Sequence, residues 1–218
     1  MLRRMLLLLV GLCCIHNTAN ADLFESTGRK YGIDPYLLRA IAQQESDLKH
    51  WTLNINRESV VCPNKRGIVK TLKHISKRPY ILVAKHRHGT GYKPYGCVYN
   101  NKENLHYRWF RSAEAARQHA RAYKLKVVRI TKRNVKSTDI GIMQINWRWH
   151  EQHVTSINKL LDVSYNVEYA ASLLRKLIKA HGLYEAIGRY HNNTDEQRKR
   201  NYRSRVIAIY NSLRKTRT

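Results

Sequence analysis

The chain has 218 residues, with 41 Lys and Arg against 15 Asp and Glu, a formal charge of +26. That length holds one domain with a proper core, or one domain and a large insertion. The charge makes polyanions its natural partners, and no stretch beyond the N-terminus is apolar enough to cross a bilayer as a helix.

Met1-Leu2-Arg3-Arg4 gives way to an uncharged run from Met5 to Val10 and then to Ala19-Asn20-Ala21. A basic start, a short apolar run and an A-x-A-like end predict a secretory signal peptide over 1–21, cleaved after Ala21. Bulky Leu12 before Cys13 argues against a lipoprotein site. The mature protein, 22–218, is expected to be periplasmic or exported, without a transmembrane segment, and its charge falls by two to +24 when Arg3 and Arg4 leave. At that address nucleic acid is not an expected partner; anionic wall polymers and lipid surfaces are nearer.

Leu23, Phe24, Ser26, Tyr31 and Ile33 predict a short first helix ending near Gly32. A second helix follows with a legible start: Asp34 caps it, and Pro35 sits in the first turn, where its missing N–H costs nothing. Leu37, Ile41 and Glu45 fall at i, i+4 and i+8, flanked by Leu38 and Ala42, so Glu45 ends the apolar stripe of its own helix. There a carboxylate is partly desolvated and near the negative end of the helix dipole. Both effects favour the protonated form that a general acid needs. From the helix alone, a glutamate fraying into solvent is the alternative.

Trp51-Thr52-Leu53-Asn54-Ile55-Asn56 alternates as a strand does. Residues 59–138 hold twenty Lys and Arg against Glu103 and Glu114, which places +18 of the charge in one internal segment. Within 59–110, glycines and prolines punctuate short β-prone runs such as Tyr80-Ile81-Leu82-Val83, and hairpins and loops are expected. Cys62 and Cys97 remain after signal removal. In an oxidising compartment an even pair reads as one disulfide, with two unpaired thiols as the alternative. Neither has a C-x-x-C partner for a metal.

Ser112 begins a helix, with Glu114 in its first turn, and Val127–Ile130 turns β-like again. Asp139-Ile140-Gly141-Ile142-Met143-Gln144-Ile145-Asn146 comes next. Asn166–Lys179 keeps helical spacing and stops at Gly182, as a C′ glycine would stop it. Glu185–Tyr190 begins another helix, and Tyr202, Val206, Ile209, Tyr210 and Leu213 mark a last one. The pattern is α+β and mainly α, with a minor β part. His150-Glu151-Gln152-His153 is one residue short of the zinc-protease H-E-x-x-H and reads as a solvated helix face. His86 and His88 read as surface, and no metal or cofactor is predicted.

The order of these pieces resembles the lysozyme-like lytic transglycosylases, in particular the small exported kind associated with type IV secretion, conjugation and pilus systems. Gln44-Glu45-Ser46 looks like the family's Glu-Ser motif, and Gly141-Ile142-Met143-Gln144 like its Gly-Leu-Met-Gln signature. Asn166 with Ala170, Ala171 and Leu174 is similar to the family's Asn-initiated helix, which packs behind the site. Ala186 to His191, with Tyr190, is similar to its Ala-Tyr-Asn motif. Leu53–Asn56 and the alanine-rich helix at 113–122 resemble the small-protein branch. The likeness covers roughly 23–58 and 112–213. It departs in two places: the motif's Asn is His191 here, with its glycine absent, and Gly141 lies 96 positions after Glu45, far more than in compact members. The excess is the basic segment of about 59–110, read as an insertion into a lysozyme-like domain over 22–218.

Cleaving a glycosidic bond requires a proton for the leaving oxygen and a means of managing charge at the anomeric carbon. Most glycosidases use two carboxylates, but Asp47 points away from Glu45 and Asp139 reads as structural. The resemblance implies that Glu45 acts alone on peptidoglycan. It protonates the bond between N-acetylmuramic acid and N-acetylglucosamine, then takes the proton of the muramic C6 hydroxyl as that oxygen closes onto C1. The resemblance also implies that Ser46 orients Glu45, that Gly141, Met143, Gln144 and Asn146 line the cleft, and that Tyr190 supports the acid or the charged transition state. Two other readings stay open. One is a lysozyme-type hydrolase on the same fold. The other is a wall-binding assembly module whose basic insertion docks a polymer or a secretion-machine partner.

Overall fold

The computed structural model describes residues 22–85, 94–99 and 105–216. The proposed signal peptide, His86, His88 and Glu103 lie outside the described residues. The chain divides into two compact units, one of residues 1–48 and 167–218, the other of residues 49–166. Helices dominate, with small antiparallel sheets, as expected of a mainly α member of the α+β class. No helix among the described residues is long and apolar enough to cross a membrane.

The first unit is helical. Residues 22–31 form α1, and Gly32, at φ +63°, turns the chain. The next helix, α2 (Pro35–Ser46), starts where the capping argument puts it: the Tyr36 N–H donates to Asp34 Oδ1 at 2.8 Å. Its buried face is Leu37, Leu38, Ala40, Ile41 and Ala42. It stops at Asp47, which adopts a left-handed conformation and returns its N–H to Gln43 O at 2.9 Å.

The second unit is mixed. Strands β1 (Thr52–Ile55) and β2 (Glu58–Val61) form a hairpin, turning through Asn56 and Arg57, both at positive φ. Helix α3 (Lys65–Ser76) follows, capped by Asn64 Oδ1 on the Gly67 N–H at 2.8 Å. It lies where hairpins and loops were expected. Ile68, Leu72 and Ile75 recur at i, i+4 and i+7 and are buried. Gly67 in the first turn and Pro79 just beyond the helix gave this stretch the look of a loop.

Next come β3 (Tyr80–Lys85), β4 (Val98–Tyr99), β5 (Leu105–Phe110), α4 (Ala113–Ala122), β6 (Lys126–Lys132), β7 (Thr138–Ile140) and β8 (Ile145–Asn146). One sheet runs β4-β2-β1-β7-β8 and the other β5-β3-β6. Sandwiched β3 is buried along both faces, which explains its unbroken apolar run. Leu82 and Ala84 pack on Ala116 and Ala120 of α4, with Phe110, Leu125 and Ile130 closing the cluster. The three-stranded sheet is therefore completed beyond residue 110 by β6. The two sheets are tied by Glu58, whose side chain is 1% exposed: Arg129 Nη2 reaches it at 2.8 Å, and Arg133 pairs with it too. Cys62 and Cys97 form the expected disulfide, with Thr71 Oγ1 at 3.3 Å from Cys97 Sγ.

Beyond β8 lies α5 (Trp147–His150), and α6 (Val163–His181) then leads from the second unit into the first. Its residues Val167, Ala170, Ala171 and Leu174 are fully buried. Gly182, at φ +77°, ends it, and α7 (Leu183–His191) and α8 (Glu196–Lys215) complete the first unit. There Tyr210 of α8 donates its hydroxyl to Asp34 Oδ2 at 2.7 Å, so the cap of α2 is also a tie to α8.

Candidate active site

In the first unit the apolar stripe of α2 runs up to Glu45, and the Glu45 side chain is only 13% exposed. It does not fray into solvent. Two aromatic rings from α7 and α8 lie beside it. The imidazole Nδ1 of His191 is 3.9 Å from Glu45 Oε1, and the ring stacks flat on Tyr202, centroids 4.6 Å apart and planes within 2°. Tyr202 is fully buried, and its hydroxyl is turned to the Glu45 carboxylate at the edge of hydrogen-bonding range. It lies near enough to Glu45 to feel its charge: burial first, then that carboxylate and Tyr190, raise the phenol pKa well above its usual value. Burial, then the charges of Arg205 and Arg198, lower the His191 pKa below its usual 6.5, so the ring is neutral at neutral pH.

The α7–α8 contact that supports this stack is built around Glu185. It accepts hydrogen bonds from Lys199 Nζ at 2.8 Å and Arg203 Nη1 at 3.1 Å, and forms an ion pair with Arg189 Nε at 2.9 Å. Those cations, Lys199 foremost, hold the Glu185 carboxyl below its ordinary pKa. Lys199 is itself buried and also pairs with Glu196. A Cβ at Gly188 would come within 3.0 Å of Lys199 Cβ, so a glycine lets the two helices close up there. Ser46 Oγ donates to Ala42 O at 3.1 Å within α2, and Tyr190 is half-buried.

In the second unit, Gly141 to Gln144 forms a tight turn between β7 and β8, which carries Asn146. Gly141 sits at φ +78° and Gln144 at φ +48°. The backbone N–H and the Nε2 of Gln144 both donate to Gly141 O, at 3.1 and 2.8 Å. Asn166, 0% exposed, pins this turn. Its Oδ1 accepts the Met143 N–H at 2.8 Å, and its Nδ2 donates to Ile140 O and Leu160 O, both at 3.0 Å. A Cβ on Gly141 would meet Asn166 Nδ2 and Leu160 O at 2.7 Å, so glycine is required here by the protein's own packing. Met143 is fully buried. Asn146 Nδ2 donates to Asp139 Oδ1 at 2.7 Å. Burial raises the Asp139 pKa to about 6, against the lowering effect of that bond.

Glu45, Ser46 and Tyr190 thus belong to one unit, and Gly141, Met143, Gln144 and Asn146 to the other. His191 and Tyr202 are the side chains beside Glu45 that sequence reasoning did not assign. Tyr202 was visible only as one more apolar position of the last helix, and His191 only as a departure from the Ala-Tyr-Asn motif. Among the described residues, no three His, Cys, Asp or Glu side chains gather as a metal site would need.

Residues 119–211 match the transglycosylase SLT domain family. The SLT match takes in the Gly141 turn, Asn166, Tyr190, His191 and Tyr202, and begins after Glu45. It supports a lytic-transglycosylase-type protein acting on peptidoglycan. No curated protein and no solved structure matches the chain.

Proposed function

We propose that this protein is a peptidoglycan lytic transglycosylase that cleaves the β-1,4 bond between N-acetylmuramic acid and N-acetylglucosamine and leaves a 1,6-anhydro end. The observation that carries the reading is Glu45: a carboxylate 13% exposed at the end of an apolar helix face, in a chain that carries the SLT match. A single shielded acid is what this reaction needs. The protonated carboxyl gives its proton to the leaving oxygen as the C1–O4 bond breaks. The C6 oxygen then closes onto C1 and returns its proton to the same carboxylate, so atoms balance without water.

In this reading Ser46 and Tyr190 support the acid. Gly141, Gln144 and Asn146 contact sugars, and buried Met143 shapes that surface from beneath. The protein is exported through its N-terminal signal segment, and it opens the wall locally for a secretion, conjugation or pilus apparatus. The basic segment supplies charge for anionic partners.

The test is a mass analysis of products released from isolated sacculi by the mature protein and by Glu45→Gln. Anhydro products from the native protein, reduced at least a hundredfold in the variant, are expected, since a general acid contributes about 10²–10⁴ in rate. Hydrated reducing-end products that depend on Glu45 would replace the reading with a muramidase. Binding without release by the native protein would replace it with a wall-binding module.

A further inference from the structure

The side chain that replaces the motif's Asn, His191, is a titratable group 3.9 Å from Glu45 within the first unit, beside the buried Tyr202 phenol that also faces that carboxylate. Its ring is not loosely placed. It lies flat on the buried Tyr202 ring, with the planes within 2°, and this stack fixes the direction of Nδ1 toward the carboxyl oxygen 3.9 Å away. An Asn in that position could offer Glu45 a hydrogen bond but never a charge. A histidine can offer either, depending on pH.

The other charged and titratable groups around the ring are accounted for. From α8 come Arg198 and Arg205, whose charges disfavour an imidazolium, and the Tyr202 phenol, which stays neutral. From α2 comes Glu45, which favours an imidazolium when ionised. On α7 itself, the neighbours are Tyr190 and Arg189, the latter committed to Glu185 and Asn193 at 2.9 and 2.8 Å. Partial burial of a side chain still 43% exposed and two arginines therefore oppose protonation, and one carboxylate, by its proximity, promotes it.

We propose that His191 sets the acid-side limit of Glu45 as a proton donor: neutral, it leaves the carboxyl its proton, and as an imidazolium it holds Glu45 as a carboxylate. The inference rests on the reading of Glu45 as the general acid. One added proton can sit on either group, and a proton on His191 lowers the carboxyl's affinity for its own. As pH falls, the donor form of Glu45 increases only until His191 begins to charge, and then levels off. Arg198, Arg205 and burial push that point to the acid side of 6.5, out of the neutral range. His191 is in this sense a positioning residue that acts through Glu45.

Two measurements test this together. The first is the pH dependence of product release from sacculi by the native protein and by His191→Asn. The native rate should rise as pH falls and flatten once His191 charges, on the acid side of 6.5. The variant should keep climbing to about tenfold above native on the acid side, the effect of an opposite charge that shifts a carboxyl pKa by one to three. A variant-to-native ratio that rises as pH falls, whatever its value at neutral pH, would not come from a merely structural role. The second is an NMR titration of the His191 ring, which needs no catalysis. In Glu45→Gln the ring should titrate at lower pH than in the native protein, because the anion that favours its charge is gone. Superimposed pH–rate profiles, or superimposed titrations, would overturn the proposal. A native protein that releases no product at any pH, while the titrations differ, would instead sink Glu45 as general acid and leave the coupling intact.

Discussion

Asn166 offers the sharpest test of how the Gly141 turn is held. Its side chain is fully buried and makes three hydrogen bonds, one accepted from the Met143 N–H at 2.8 Å and two donated, to Ile140 O and Leu160 O at 3.0 Å. All three partners are backbone groups of fully buried residues, left without the amide once it is truncated. At about 1–1.5 kcal/mol net for each bond lost, Asn166→Ala should cost about 3–5 kcal/mol, with the cavity adding to the upper end. In urea, with an m value of about 2 kcal/mol/M, the midpoint should fall by about 2 M. The discriminating variant is Asn166→Asp, which keeps the shape. One oxygen can still accept from Met143, but the other faces two carbonyl oxygens with nothing to donate. At pH 7 it should cost at least as much as alanine. It should recover in acid, because a carboxyl buried against two acceptors binds its proton more tightly folded than unfolded, and stability then falls as pH rises. An Asn166→Asp protein as stable as native at pH 7, or an Asn166→Ala protein within 1 kcal/mol of it, would refute the account.

Two further outcomes are expected. The Asp139 carboxyl, raised to about 6 by burial, keeps its proton in the folded protein over a range where the unfolded chain has released it. The native state therefore binds more protons between about pH 4 and 6, and stability declines as pH rises through that window by at most roughly 3 kcal/mol. Asp139→Asn, which can still accept from Asn146, should be more stable than native at pH 7 and equal to it near pH 4. Equal pH–stability curves from denaturant titrations would rule this out. Replacing both Cys62 and Cys97 by Ser opens a loop of sequence separation 35. A chain-entropy loss of about 4 kcal/mol is expected, seen as a urea midpoint shifted to the value that the native protein shows under reductant. A double variant as stable as the oxidised native protein would show that the bridge contributes nothing.

Features encoded within a few residues were legible. Asp34 and Pro35 start α2, Ser112 starts α4 and Gly182 ends α6, each by local chemistry that needs no knowledge of the rest of the chain. Alternation in Thr52–Ile55 and the unbroken run Tyr80–Val83 likewise announced strands, both largely buried within their sheets. What could not be read were the pairings over distance. The Arg129 and Arg133 partners of Glu58 lie 71 and 75 positions away, and nothing near Glu58 marks it as a buried anion. The stack of His191 on Tyr202 beside Glu45 joins three helices whose individual periodicities each look ordinary.

Gly141 shows how a residue singled out for one reason can be held by another. A glycine in a segment expected to line a sugar cleft invites the reading that a missing Cβ lets substrate approach. The same absence is demanded from the other side, where Asn166 Nδ2 and Leu160 O would stand 2.7 Å from a Cβ, and φ +78° disfavours any side chain. Both demands leave the same letter in the sequence. Only the position of Asn166, fixed by three backbone partners, separates them. That separation bears on variants. Gly141→Ala in an Asn166→Ala background loses the Nδ2 clash but keeps the Leu160 carbonyl and the backbone strain. Its cost should therefore shrink there without vanishing, whereas a glycine kept for substrate alone would cost nothing in stability in either background.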